Sequence, residues 1–151
     1  MTPEQKLQQL GITLPEVAKP VANYVPTVQT GNLLFVSGNG PRPNTPNRTG
    51  KLGADLTVEQ GYQVARDVGI SLIAAMKAGL GDLSRVKRIV KVLGMVNSAP
   101  DFGDQPKVIN GCSDLLVEIF GENGKHARSA VGMGALPGNI AVEIELIAEV
   151  E

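Results

Sequence analysis

Several residue types that mark particular function classes are scarce in this chain of 151 residues. Tryptophan is absent, and three Phe and two Tyr are too few for a platform on which nucleic-acid bases could stack. The chain has 14 basic and 15 acidic residues, so it lacks the basic surface that nucleic acid or an acidic membrane attracts. We therefore expect neither a nucleic-acid partner nor a membrane partner.

Potential metal ligands are sparse as well. One cysteine, Cys112, excludes an internal disulfide and a cysteine-rich zinc site, and one histidine, His126, gives no metal-ligand spacing. No glycine-rich segment opens a helix as a nucleotide-binding loop would, so we expect no metal and no cofactor. No apolar run approaches the roughly 18 residues of a membrane-spanning helix, and the first residues do not resemble a signal peptide. We expect a cytoplasmic protein.

The apolar periodicity predicts a single α+β domain over residues 1–151, with residues 1–20 as an N-terminal extension that carries a short helix. Strands are predicted at about 24–29, 32–38 and 86–97, and helices at about 57–79 and 101–120. Thr57, with Gln60 three residues later, predicts a weak capping box at the start of the first of these helices. The second half of the chain closes with two more strands between His126 and Glu145. The predicted order is therefore β-β-α-β-α-β-β, with both helices on one face of the sheet.

The stretch from His126 to Glu145 reads as two strands joined by a tight turn at Leu136–Asn139. Even-numbered residues from Val142 onward are apolar and face a core, whereas Glu143 and Glu145 point to the other surface. If the two strands pair directly, Glu143 lies opposite Ala130 or Gly132 and on the face of Arg128. An exposed cross-strand ion pair is the simple alternative for these two charges.

The sheet face without helices would then carry Arg128 and the row of glutamates. A bare sheet face is an aggregation hazard, which predicts that the protein associates with itself.

Three spaced elements resemble the C-terminal signature of the YjgF/YER057c/UK114 (RidA) family. They are Arg128-Ser129, Leu136-Pro137 eight residues past the arginine, and Val142-Glu143-Ile144-Glu145. The segment Gly31-Asn32-Leu33 followed by Phe35-Val36-Ser37-Gly38 is similar to the family's second strand. The resemblance implies a chorismate-mutase-like fold and a compact homotrimer with a cleft between each pair of neighbouring subunits.

The same resemblance implies an enamine/imine deaminase that hydrolyses reactive 2-aminoacrylate-type intermediates to 2-keto acids and ammonia. Arg128 would grip the carboxylate of the 2-imino acid, and Glu143 would help to position the attacking water. Tyr24 would line the cleft from the adjacent subunit, and Ser37 and Gly38 would form its floor. Glu145 is the weaker candidate for the acidic role.

Other residues fit the family less well. Asn110 lies near the family's helix asparagine but with one residue inserted before Arg128, so a helix-packing hydrogen bond is favoured for it. Ala130 stands where many deaminases have Cys or Thr, and Asn39-Gly40-Pro41 replaces the common Gln-Ile-Pro. These departures leave two alternatives open: a non-catalytic carboxylate-binding or chaperone-like trimer, and an endoribonuclease. Arg128 could also pair with a neighbour's glutamate.

Four further residues have simple interpretations. His126 shares a face with Arg128, so a proton role is conceivable, but a structural role is favoured. Cys112 lies on an apolar helix face and is interpreted as a packing residue. Arg42 and Arg48, in the proline-rich loop at 39–54, could gate an anionic ligand, although solvated loop charges are favoured.

Overall fold

The computed structural model describes residues 1–17 and 22–151. These residues form helices α1 (Pro3–Gln9), α2 (Val58–Leu80) and α3 (Gln105–Phe120) and strands β1 (Thr27–Thr30), β2 (Leu33–Asn39), β3 (Val86–Asn97), β4 (Ala127–Met133) and β5 (Val142–Val150). The predicted α+β class and element order are confirmed, and α1 is the short helix expected in the N-terminal extension. Residues 18–20 of that predicted extension lie outside the described residues.

The five strands form one mixed sheet in the order β1-β2-β5-β3-β4. β4 runs parallel to β3, and the other neighbouring pairs are antiparallel. The predicted hairpin of the last two strands is therefore wrong, because β3 lies between β4 and β5. The connection from Gly134 to Ala141 is too long for a hairpin turn. It crosses the C-terminal end of β3, where the Asn97 amide donates to the carbonyl of Ala141 at 2.9 Å.

A buried asparagine fixes this crossover. The side chain of Asn97 is fully buried; its Nδ2 donates to Oδ1 of Asn139 at 3.0 Å, and its Oδ1 accepts from Lys51 Nζ at 2.9 Å. The Lys51 ammonium also donates to the carbonyl of Gly134. Asn139 adopts a left-handed conformation with φ 56°, which asparagine tolerates better than most residues. Because both ends of the Asn97 amide are satisfied, its burial holds the crossover without an unpaired polar group.

The hydrophobic core lies between the sheet and helices α2 and α3. Both helices cover one face, as predicted, and the alternate residues Val142, Ile144, Leu146, Ala148 and Val150 of β5 face them and are buried. The N-terminus of α2 has the predicted capping box of Thr57 and Gln60. Gly111 on α3 allows a close approach to α2. A Cβ at that position would lie 3.0 Å from the backbone nitrogen of Arg66 and would overlap the carbonyl oxygen of Tyr62.

The opposite face of the sheet has no helix over it among the described residues. Val28, Phe35 and Val131 remain 53%, 41% and 38% exposed there. Glu143, Glu145 and Glu149 share this face, because they alternate with the buried residues of β5. We call this surface the open face. Its mixture of apolar side chains and carboxylates matches the predicted surface, except that Arg128 does not belong to it.

We expect the Gly111→Ala substitution to reduce the free energy of unfolding by about 3 kcal/mol, because backbone atoms of α2 cannot move aside as a flexible side chain could. Urea denaturation monitored by circular dichroism measures this change. Gly103→Ala is the matched control: a Cβ there meets no atom within 4 Å, so its effect should stay within about 0.5 kcal/mol. Equal stability of the two variants would contradict the described packing of the helices.

Candidate functional site

Arg128 points from the edge strand β4 towards helix α3. It is level with Val92 of β3 and Leu146 of β5, both of which face the core. Its Nη1 donates to Oδ1 of Asn110 at 2.8 Å and to Oγ of Ser113 at 3.2 Å. Asn110 and Ser113 are three residues apart and therefore share one side of the helix. The hydrogen bond favoured for Asn110 joins α3 to Arg128 of β4, so it ties the helix to the sheet at the arginine.

The charge of Arg128 has no carboxylate partner within the described residues. None of their Asp or Glu side chains comes within 4.0 Å of its guanidinium. Within the described residues, Arg128 donates hydrogen bonds only through Nη1, so its Nε and Nη2 have no protein acceptor. Arg128 is only partly exposed, so its charge lacks part of its hydration. The free edge of the guanidinium matches the two oxygens of an external carboxylate.

Glu143 does not share a face with Arg128, which corrects the sequence prediction. It is level with Met95 of β3 and Val131 of β4, three residues along the sheet from the level of Arg128. An offset of three residues places the two side chains on opposite faces. They are also two strands apart, which adds about 10 Å. The direct ion pair considered from the sequence is therefore wrong within one protomer.

Of the predicted residues Tyr24, Ser37 and Gly38, the structure places Gly38 beside Glu143. The Glu143 carboxylate covers Gly38, since a Cβ built on that glycine would lie 2.8 Å from Oε2 of the glutamate. Tyr24, Ser37 and Gly38 line a cavity of about 240 Å³ together with Pro41 and Ser71. Ser37 Oγ donates to the carbonyl of Val25 at 2.6 Å. Tyr24 is 53% exposed, so much of its ring is free to contact another molecule.

The predicted site residues thus fall into two groups. The arginine half-site contains Arg128, Asn110 and Ala130, together with Ser113 and His126. The glutamate half-site contains Glu143 and Gly38, and the cavity that Gly38 also lines adds Ser37 and Tyr24. Ala130 follows Arg128 on the same side of β4, and its methyl group packs against the core. Ser113 was missed by the sequence analysis, although its three-residue spacing from Asn110 was a usable signal.

His126 joins the arginine half-site through Ser113. Its Nε2 lies 2.9 Å from Oγ of Ser113, and its Nδ1 lies 2.6 Å from the carbonyl oxygen of Gly124. Burial lowers the pKa of His126 below its ordinary value of 6.5, and the charge of Arg128 lowers it further, against the opposing effect of the Gly124 hydrogen bond. The imidazole is therefore neutral at physiological pH, and its expected face is confirmed.

Cys112 is the packing residue that the sequence predicted. Its side chain is fully buried, and burial raises the pKa of the thiol to about 12, with a small opposing effect from Arg128. A thiol with such a pKa is not a nucleophile near neutral pH.

The two loop arginines are not simply solvated, which corrects the favoured interpretation. Arg42 forms a salt bridge with Asp67 of α2, and Thr45 donates to the same carboxylate at 2.6 Å. The Nε of Arg48 is buried without a hydrogen-bond partner among the described residues, and the backbone carbonyl of Arg48 accepts from the Ala141 amide at 2.9 Å. Arg42 therefore attaches the loop to the helix, and Arg48 supports the crossover between β4 and β5.

Within residues 1–17 and 22–151, no helix has the length and hydrophobicity needed to cross a membrane. The same residues bring together no group of three or more His, Cys, Asp or Glu side chains that could hold a metal ion.

The chain matches a known protein family over almost its whole length. The family model described as "YjgF/chorismate_mutase-like, putative endoribonuclease" matches residues 4–150. "Protein TCP17" of Trypanosoma cruzi is 48% identical over 145 residues, which cover 95% of this chain and 91% of that protein.

One similar crystal structure and one relative with a named activity are informative. The structure of "a putative endoribonuclease" from Shewanella oneidensis MR-1 superposes with a TM-score of 0.94 at 39% identity, covering 99% of this chain and 100% of that one. A protein of Dermatophagoides farinae named "2-iminobutanoate/2-iminopropanoate deaminase" is 26% identical over 140 residues, which cover 93% of this chain and 95% of that protein.

The Asp67 cluster leads to a prediction about acid stability. Burial alone would raise the pKa of Asp67, but the hydrogen bonds from Arg42 and Thr45 and the charge of Arg42 lower it below 3.8. A lowered pKa in the folded state contributes stability above the unfolded value, and this contribution disappears as the pH falls below about 3.8 towards the folded value. We expect the stability difference between the protein and Asp67→Asn to be constant at pH 5–7 and to shrink below about pH 4. Urea denaturation as a function of pH tests this. The Asp101→Asn variant, which removes an exposed carboxylate, is the control.

Proposed function

The chain belongs to the YjgF/chorismate mutase-like family, and we propose that it is an enamine/imine deaminase that acts on reactive 2-aminoacrylate-type intermediates. The observation that carries the proposal is the partly buried guanidinium of Arg128, which has no carboxylate partner among the described residues. Asn110 and Ser113 fix one end of it and leave the Nε–Nη2 edge free. A small carboxylate would bind that edge bidentately and neutralise the charge.

The proposed reaction is a hydrolysis that needs no cofactor. The enamine first tautomerises to the 2-imino acid, whose carboxylate binds Arg128. Water then adds to C2 and one of its protons passes to the nitrogen, which gives a tetrahedral carbinolamine. The remaining hydroxyl proton passes to the nitrogen as the C2–N bond breaks, so that the oxygen becomes the carbonyl of the 2-keto acid and ammonia leaves. A carboxylate such as that of Glu143 can orient the water and accept its proton. Arg128 holds the substrate equally in the ground state and the transition state, so its main contribution is to binding.

We propose that each active cleft forms between two copies in a homotrimer. Arg128 and Glu143 lie on opposite faces of one sheet, so a cleft that contains both requires the arginine of one copy and the glutamate of a neighbour. The open face supports this arrangement, because its exposed Val28, Phe35 and Val131 surround a row of carboxylates. The half-exposed Tyr24 would contribute to the cleft from the copy that supplies Glu143.

A second candidate is a carboxylate-binding trimer without catalysis. It is supported by the methyl group of Ala130, which supplies no polar atom beside Arg128, and by the loop at Asn39–Pro41, which lines the cavity near Ser37. This candidate predicts binding of pyruvate that depends on Arg128, with no release of ammonia from imines. The endoribonuclease named in the family and structure descriptions is opposed by the near-neutral charge and the five aromatic residues.

We expect Arg128→Ala to lower kcat/KM for freshly generated 2-iminopropanoate by about 100-fold, because a charge-assisted bidentate contact contributes about 3 kcal/mol. Ammonia and pyruvate release are measured against the uncatalysed reaction in buffer. Arg128→Lys is the matched control. It keeps the charge but not the planar fork, and it should retain part of the activity. Full activity of Arg128→Ala, or no acceleration by the unchanged protein, would reject the deaminase proposal.

Mixing two inactive variants tests whether the cleft is shared. Arg128→Ala and Glu143→Gln are unfolded together in equal amounts and refolded into mixed assemblies. If each cleft takes its arginine and glutamate from different copies, about a quarter of the clefts regain both residues, so about a quarter of the activity should return. Refolding each variant alone is the control. A mixture that stays as inactive as its components would reject a cleft shared between Arg128 of one copy and Glu143 of another.

A further inference from the structure

Two side chains of the arginine half-site have no task in the proposed hydrolysis. Ser113 and His126 lie in a row behind the guanidinium, away from its free edge. Arg128 Nη1 is 3.2 Å from Ser113 Oγ, Ser113 Oγ is 2.9 Å from His126 Nε2, and His126 Nδ1 is 2.6 Å from the carbonyl oxygen of Gly124. The row crosses from β4 to α3 and back to the 3₁₀ turn at Gly121–Gly124.

The chemistry of the row fixes the direction of every hydrogen bond. A carbonyl oxygen only accepts, so the proton of the neutral imidazole lies on Nδ1, and Nε2 is an acceptor. Ser113 must then donate its hydroxyl proton to Nε2. Its oxygen is left to accept from Arg128, which only donates. This one arrangement gives each of the three hydrogen bonds of the row one donor and one acceptor, and we call the row the relay.

We propose that Ser113 and His126 are positioning residues that hold Arg128 for carboxylate binding. The inference rests on the proposed function of Arg128 and adds a role for the only histidine of the chain. Long arginine side chains lose considerable rotamer entropy when a ligand fixes them. The relay and Asn110 remove this cost in advance by anchoring Nη1 to α3. The ring of His126 holds the serine hydroxyl, and the serine oxygen holds the guanidinium.

The proposal predicts a particular kinetic pattern. Ser113→Ala and His126→Ala should each raise KM about five- to tenfold and leave kcat unchanged, because the carboxylate contact is the same in the ground state and the transition state. The dissociation constant of pyruvate, a stable 2-keto acid, should rise by the same factor. His126→Gln should restore much of the loss, since its amide oxygen can accept from Ser113 in place of Nε2.

Asp114→Asn is the matched control for damage to the helix. Asp114 follows Ser113 but accepts a hydrogen bond from Tyr62 at 2.6 Å, away from Arg128. It should leave KM unchanged. If the control and the relay variants change KM equally, or if His126→Gln is no better than His126→Ala, the positioning role is refuted.

The ¹⁵N NMR resonances of the His126 ring report its protonation and hydrogen bonds directly, and not only whether a variant is folded. Because the chain has one histidine, its ring resonances need no assignment by mutation. At neutral pH we expect a neutral ring with the proton on Nδ1, and Ser113→Ala should shift the Nε2 resonance because it removes the donor. A ring protonated on Nε2, or a Nε2 signal that Ser113→Ala does not change, would overturn the relay.

The two proposals can fail separately. If Arg128→Ala is fully active, the proposed function fails whatever the relay variants do. If Arg128→Ala loses activity while Ser113→Ala and His126→Ala keep the KM and pyruvate affinity of the unchanged protein, the deaminase proposal stands and the relay is wrong.

Discussion

The position of β3 between β4 and β5 determines the rest of the structure. Because β3 pairs with both strands, Arg128 is level with the core residues Val92 and Leu146, and Glu143 is level with Met95 on the other face. The Asn97 network at the end of β3 maintains this arrangement by binding both Lys51 and Asn139. The chain could not form a direct hairpin without leaving these buried polar groups unpaired. The separation of the two charged residues is therefore a property of the fold and not of the side chains.

This separation explains why one protomer holds two incomplete half-sites. Among the described residues, Arg128 donates hydrogen bonds to α3 but has no counter-ion, and Glu143 of the open face forms no salt bridge. While water surrounds them, the unpaired charges of Arg128 and Glu143 change the stability of the protomer only slightly. Once another molecule excludes that water, each surface requires a partner of opposite charge. A small anion bound to Arg128 would supply that partner for the arginine half-site.

Local patterns predicted most of the fold, and long-range pairing was the part they could not supply. The strand at 86–97 was placed correctly, the capping box of Thr57 was found, and the two faces of β5 followed from strict alternation. The turn predicted at Leu136–Asn139 has Gly138 and Asn139 in left-handed conformations, which both residue types tolerate. Those features depend on neighbours in the sequence. The insertion of β3 depends on contacts of Asn97 with residues more than 40 positions away, for which one sequence gives no signal.

The error in the site prediction has a single physical origin. Direct pairing would set Glu143 opposite Ala130 or Gly132, whereas pairing through β3 sets it level with Val131. A change of one residue in register reverses the face of every side chain on a strand. The correct face of Arg128 brings it to Asn110 and Ser113, so the same error that hid this contact also suggested an ion pair that one protomer does not form. The arginine edge and the glutamate face are different surfaces of the same protomer. Contact between such different surfaces in successive copies closes a ring when the rotation between copies is right. This is the assembly that the proposed clefts require.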